Sequence, residues 1–157
     1  MTGFLETYLG KLVATAAMSM LPVVELRGGI PYGTALGLDP WSAFWAAVVG
    51  NMLPVPFILL LIRRVFDWLH RGRLGPTICR LEQRAHLKGR VVQKYRLAGL
   101  VILVAIPLPG TGAWTGALVA ALLDIRLRHA FPAILLGVLI AGLLILTLTY
   151  GVIHVAT

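Results

Sequence analysis

Glu25 and Arg27 are the side chains of this chain best suited to chemistry, because they are charges set inside an apolar stretch. They lie in Leu21-Pro-Val-Val-Glu-Leu-Arg-Gly-Gly-Ile-Pro31, flanked by the uncharged runs Leu12–Val24 and Gly28–Leu38. At membrane depth an ionisable group costs ~2.5–3.5 kcal/mol or more, so its default reading is functional. A desolvated carboxylate there can take up a proton, since low dielectric disfavours its charged form, which makes Glu25 the candidate for proton coupling. Arg27 keeps its charge and suits an anionic substrate group or a phosphate. The competing structural reading is that the two neutralise each other, or a neighbouring segment's backbone, and hold the chain together at this point.

A second segment has the same character without charge: Ile106-Pro-Leu-Pro-Gly-Thr-Gly-Ala-Trp-Thr-Gly116. Pro22, Pro31, Pro107 and Pro109 are expected to stop helices. Gly28, Gly29, Gly110, Gly112 and Gly116 permit tight turns and close backbone approach. The N–H groups of the short helices that follow suit an anion. Thr111 and Thr115 offer hydroxyls. Trp114 either lines a cavity or serves as packing or an interfacial anchor. Asn51 reads as an interhelix hydrogen bond more than a ligand contact, a supporting residue behind the site. Asp39 and Asp124 read as helix N-caps.

Both segments begin ten residues into an apolar stretch. Ten helical residues rise roughly 15 Å, about half of a ~30 Å hydrocarbon core. Lipid cannot satisfy backbone groups exposed there, so such a break survives only inside protein or beside a water-filled cavity. Two breaks at matching depth point to a transport site.

The 157 residues are 59% apolar and 13% charged, about half the charge of a soluble domain, which places the chain among integral membrane proteins. Trp41–Ile62 and Ala130–Ile153 are long enough to span; Leu97–Leu123 is interrupted in its middle. Arg63–Arg96 holds ten basic residues against Asp67 and Glu82, which is the whole net charge of +8. Its place between apolar segments argues for the positive-inside rule rather than nucleic acid binding, and makes Arg63–Arg96 cytoplasmic. Within it, Arg80–Arg96 interleaves bases with Leu81, Ala85, Leu87, Val91, Val92 and Tyr95, as a helix on an anionic inner leaflet would. The single cysteine, Cys79, excludes an intramolecular disulfide. The N-terminus carries Glu6 and no basic run, which argues against a cleaved signal peptide. No histidine pair has metal spacing, no enzyme motif is present, and no cofactor is expected.

With Arg63–Arg96 inside, both flanks of the second broken segment prefer the cytoplasm, so it is expected to turn back as a re-entrant hairpin. The first then enters from outside. A shift of 85 residues pairs Lys11 with Arg96, Pro22 with Pro107 and Asp39 with Asp124. Two extra residues in the following loop pair Phe44 with Phe131 and Gly50 with Gly137. The expected fold is a single all-α integral membrane domain, residues 1–157, with two inverted repeats. Each repeat is a re-entrant helical hairpin plus one spanning helix, at about 5–62 and 97–157. A basic cytoplasmic amphipathic helix within 63–96 joins them.

At Glu25-Leu-Arg-Gly-Gly-Ile-Pro31 and Pro107-Leu-Pro-Gly-Thr-Gly-Ala-Trp-Thr-Gly116 the chain resembles the small multi-drug export protein family of prokaryotes, over nearly its whole length. The resemblance implies export of small molecules. The layout is also similar to the DedA/VTT superfamily, some of whose members move phospholipids or polyprenyl phosphates between leaflets. Those proteins place arginines in the second hairpin, where Pro107–Gly116 carries no charge; Arg27 is the only candidate for that role. The expected function is proton-linked export of a small molecule by a multi-pass inner-membrane transporter. Movement of a phosphorylated lipid, or a non-transporting scaffold, is the alternative. Two spanning helices bury little surface, so a homo-oligomer is expected.

Overall fold

The computed structural model describes residues 7–70, 89–107 and 111–156, in which there are seven helices and no strand. Helix α1 (Tyr8–Ser19) stops just before Pro22, with the Met20 N–H still bonded to the carbonyls of Ala16 and Ala17. After five residues α2 (Glu25–Ala35) begins, with Glu25 itself at φ 49°. It closes on Gly37, whose φ of 81° a side chain would resist. The Leu38 N–H returns to the Gly33 carbonyl and that of Gly37 to Thr34, the crossed pair that satisfies a helix C-terminus.

Asp39 then accepts from the Ser42 N–H (3.1 Å) and starts α3 (Pro40–Met52), as an N-cap should. The chain bends at Leu53, and α4 (Pro54–His70) continues. The joint is the one Pro54 and Pro56 imply, since each lacks the N–H a continuous helix needs. Helix α5 (Gly89–Ala105) leads to a seven-residue break. Helix α6 (Ala113–Leu122) and the long α7 (Leu127–Ala156) follow. The segments Pro40–Ile62 and Leu127–Gly151 are each long and apolar enough to cross a membrane, with mean hydropathy 2.1 and 2.6.

Three expectations change. Pro31 lies inside α2 and does not stop it. Both breaks are shorter than the sequence suggests, because Glu25, Arg27, Gly28 and Gly29 already belong to α2, and Trp114, Thr115 and Gly116 to α6. Asp124 is not an N-cap. At φ 50° it closes α6, with its N–H on the Ala121 carbonyl and that of Ile125 on Ala120, the role Gly37 plays for α2. Of the expected connector, residues 63–70 continue α4 and 89–96 open α5. Residues 71–88, Cys79 among them, and Pro109 and Gly110 lie outside the described residues.

The two halves pack alike. Helix α1 lies on α2 and α3, as α5 lies on α6 and α7; α2 crosses to α7, as α6 crosses to α4. The glycines show how close the matching approaches are. A Cβ on Gly50 would strike the Ala16 carbonyl of α1, and one on Gly137 the Val101 carbonyl and Val104 of α5. A Cβ on Gly29 would strike Ser19, and one on Gly116 would strike Val104. Ala16 and Val101 are 85 residues apart, as are Ser19 and Val104. Gly29 and Gly116, like Gly50 and Gly137, are 87 apart. The two extra residues therefore fall in the break itself, not in the loop after Asp124, so Asp124 corresponds to Gly37 and not to Asp39. Lys11 and Arg96 hold their correspondence. The Lys11 ammonium sits 3.6 Å from where a Gly37 Cβ would be, and Arg96 donates to the Leu123 carbonyl (3.4 Å). Each places a cation at the C-terminus of the returning helix, where the helix dipole favours one.

Between the halves, Leu26, Ile30, Val55, Leu59, Leu100, Val104, Ile134 and Val138 form the apolar centre. Phe44 meets α7 at Gly142, where a Cβ would crowd its ring.

Candidate functional site

The breaks meet at this centre, and each satisfies the backbone of the other. At the end of α1 the Met20 carbonyl has left the helix ladder, and the Trp114 indole Nε1–H donates to it (3.1 Å). At the start of α6 the orphan N–H groups of a helix N-terminus need acceptors. The Glu25 carboxylate accepts from the Trp114 backbone N–H, and the carboxylate's negative charge suits that end of the dipole. Arg27, in the first turn of α2, donates to the Thr111 carbonyl and to its hydroxyl (3.0 Å). The Thr111 hydroxyl in turn donates to the Ile106 carbonyl (2.7 Å).

Local geometry aims these groups. The left-handed φ of Glu25 turns the chain into α2 and carries the carboxylate across to the second break, a conformation that costs on the order of 1–3 kcal/mol for a non-glycine residue and persists only where surroundings enforce it. Gly112 makes room for it: a Cβ there would overlap the Glu25 carboxylate. Glu25 is 7% exposed, whereas Arg27 and Thr111 are half-buried. Arg27 and Glu25 attract each other across this short distance.

Glu25, Arg27, Asn51, Thr111 and Gly112 line one small cavity, closed otherwise by Leu26, Val104, Ala113, Val138 and Ala141. Asn51 is 1% exposed, and neither its Oδ1 nor its Nδ2 has a hydrogen-bond partner. That overturns the expected interhelix hydrogen bond. An amide group buried without a partner costs ~1–3 kcal/mol, so its place beside Glu25 needs a cause.

The remaining sequence candidates are dispersed. Pro22 is exposed in the first turn, Pro107 half-buried at the second, and Pro31 sits along α2. Gly28 lies against Val24, and Thr115 is half-buried in the first turn of α6. Met20, Val104, Val138 and Ala141 went unnoticed in the sequence. Val138 and Ala141 stand three apart on α7, beside the Gly137 that the internal pairing singles out, and that spacing is a usable signal.

The family described as putative small multi-drug export protein matches residues 25–144, from Glu25 into α7. The chain belongs to this family. The matched segment contains both returning helices, Asn51 and every residue of the cavity. No curated protein and no solved structure matches the chain. The family name points to a transporter-like export role and away from an enzyme.

Proposed function

We propose that this family member is a multi-pass inner-membrane transporter that exports a small molecule in exchange for protons, through the place where the two breaks meet. The observation that carries the reading is the mutual satisfaction of the breaks by Glu25, Arg27 and Trp114. Backbone at the middle of a bilayer must find partners within the protein, and here the partners come from the other half. The coupling follows from the same contacts. A proton on Glu25 removes the charge that draws Arg27 and weakens the acceptor that holds the Trp114 N–H, so proton uptake loosens one half from the other.

Two further features support an inverted repeat of re-entrant hairpins. Helices α1 and α2 have 12 and 11 residues, about 18 and 16 Å, half a ~30 Å core, and Lys11 at the start of one reaches Gly37 at the end of the other. The equivalent glycine contacts of the two halves then supply the repeat. In this reading residues 63–96 face the cytoplasm and an anionic leaflet, no catalysis takes place, and copies of the chain associate.

Movement of a phosphorylated lipid, the DedA-like alternative, is less well supported. A phosphate would seek the α6 N-terminus and Arg27, and the Glu25 carboxylate and Thr111 already occupy those groups. The same hydrogen bonds would serve a scaffold equally well, so an experiment decides. Purified protein in liposomes is offered panels of small cationic compounds and phosphorylated lipids while proton movement is recorded. Export predicts substrate-dependent proton flux that Glu25→Gln abolishes. Lipid movement dependent on Arg27, without proton flux, would establish the alternative. Silence from a folded, inserted protein would leave the scaffold.

A further inference from the structure

Asn51 has no role in the contacts described so far, yet it is among the most buried polar residues of the protein. It stands on α3, two residues before the joint at Leu53 and next to Gly50, whose lack of a side chain brings α3 against the α1 backbone. Its carboxamide can donate twice and accept twice. Across the cavity is the Glu25 carboxylate, and the space between the lining residues admits the centre of one water, about 10 Å³. A buried water needs that much room and two to four polar partners.

We propose that Asn51 holds a single water molecule against the Glu25 carboxyl, so that the cavity is a water-binding site. The lining chemistry selects water over the other small occupants. A sodium ion would need five or six oxygen ligands and would sit beside the Arg27 guanidinium, which lines the cavity. An anion would face the Glu25 carboxylate. A neutral molecule that both donates and accepts can bridge an amide and a carboxyl whether or not the carboxyl carries a proton. Leu26, Val104, Val138 and Ala141 close the apolar sides, and the half-exposed members of the lining are Arg27 and Thr111.

The consequence for export rests on the reading above. When Glu25 releases its proton, the bound water accepts it and passes one of its own to solvent water beside the half-exposed Thr111, while the carboxylate that remains is still hydrogen-bonded. Asn51 is thus a positioning residue: it fixes the water, and the water exchanges the proton.

Infrared difference spectroscopy between acid and alkaline pH, on protein in liposomes, tests this directly. The carbonyl band of the Glu25 carboxyl is the one missing from Glu25→Gln. Asn51→Leu, similar in size and apolar, is expected to move that band to higher wavenumber, as for a carboxyl that has lost a hydrogen-bond donor, and to lower proton flux at least tenfold. Asn51→Val should do the same should leucine fail to insert, while Asn51→Ser, which can still hold the water, should keep the band near its wild-type position. A band unmoved in a folded leucine or valine variant would overturn the proposal. A band that moves in protein with no proton flux at all would uphold the water site and remove the export reading instead.

Discussion

The two breaks meet the same physical demand with different residues. The first is five residues long and is followed at once by Glu25 and Arg27; the second is seven residues long and without charge in its described part. One supplies side chains that reach across, and the other supplies the backbone groups they reach: the Trp114 N–H and the Thr111 carbonyl. Trp114 reaches the other way, to Met20. Away from the breaks the halves are nearly interchangeable, with equivalent glycines against equivalent turns of α1 and α5. The contrast teaches that two halves with alike packing can divide the labour where they meet, and that a charge missing from one break is supplied by the other.

Breaking the contrast at its centre should have the largest effect. Arg27→Ala removes the charged donor to the Thr111 carbonyl and leaves Glu25 without the Arg27 charge; loss of a hydrogen bond to a charged group costs about 1.5–3 kcal/mol. Thermal unfolding in detergent should register that loss, and any transport should vanish. Trp114→Phe keeps the ring and removes only the donor to Met20, so a smaller loss of about 1 kcal/mol is expected. Equal effects of the two substitutions would contradict the division of labour.

The likeness of the halves is sharpened by the glycines. Gly50→Ala and Gly137→Ala each force a methyl into the neighbouring helix, and overpacking of this kind costs typically 1–3 kcal/mol. Similar losses are expected from both, whereas Gly99→Ala and Gly151→Ala, with open space at the Cβ, should change stability by less than about 0.5 kcal/mol. A large loss at Gly50 with none at Gly137 would break the correspondence.

The smallest effect is expected at the helix starts, where the halves differ again. The Ser42 hydroxyl and N–H hold the Asp39 carboxyl below its usual range. A carboxyl whose folded value is depressed stabilises the fold above its unfolded value, and that contribution is lost as pH falls through the folded one. Asp39→Ala should therefore lower the melting temperature slightly at neutral pH and not at all in strong acid. Asp124 instead closes α6 in the left-handed region, with its N–H on the Ala121 carbonyl.

How much of this was legible follows from range. Charges in an apolar stretch stand out locally, so Glu25 and Arg27 could be found, as could the two spans and the joint at Pro54. The limits of the breaks could not, because Gly28, Gly29 and Pro31 weaken a helix by propensity yet sit in one that packs against α1, α3 and α7. Tertiary packing overrides such preferences. Gly112 looked like a turn residue; its role is to admit a carboxylate 87 residues away in sequence, which no local pattern records. The extra two residues of the second break also escaped, since apolar sequences align almost equally well at 85 and 87.

The proposed transporter requires two half-depth hairpins that enter from opposite sides, and cysteine labelling reads that directly. With the single native cysteine replaced (Cys79→Ser), Lys11→Cys, Asp39→Cys, Arg96→Cys and Arg126→Cys are made one at a time and exposed in intact cells to a reagent that cannot cross the membrane. Re-entrant hairpins predict that Lys11→Cys and Asp39→Cys react from outside, while Arg96→Cys and Arg126→Cys react only once the membrane is opened. Labelling of Lys11→Cys and Asp39→Cys from opposite sides would make the first hairpin a spanning segment and contradict the account.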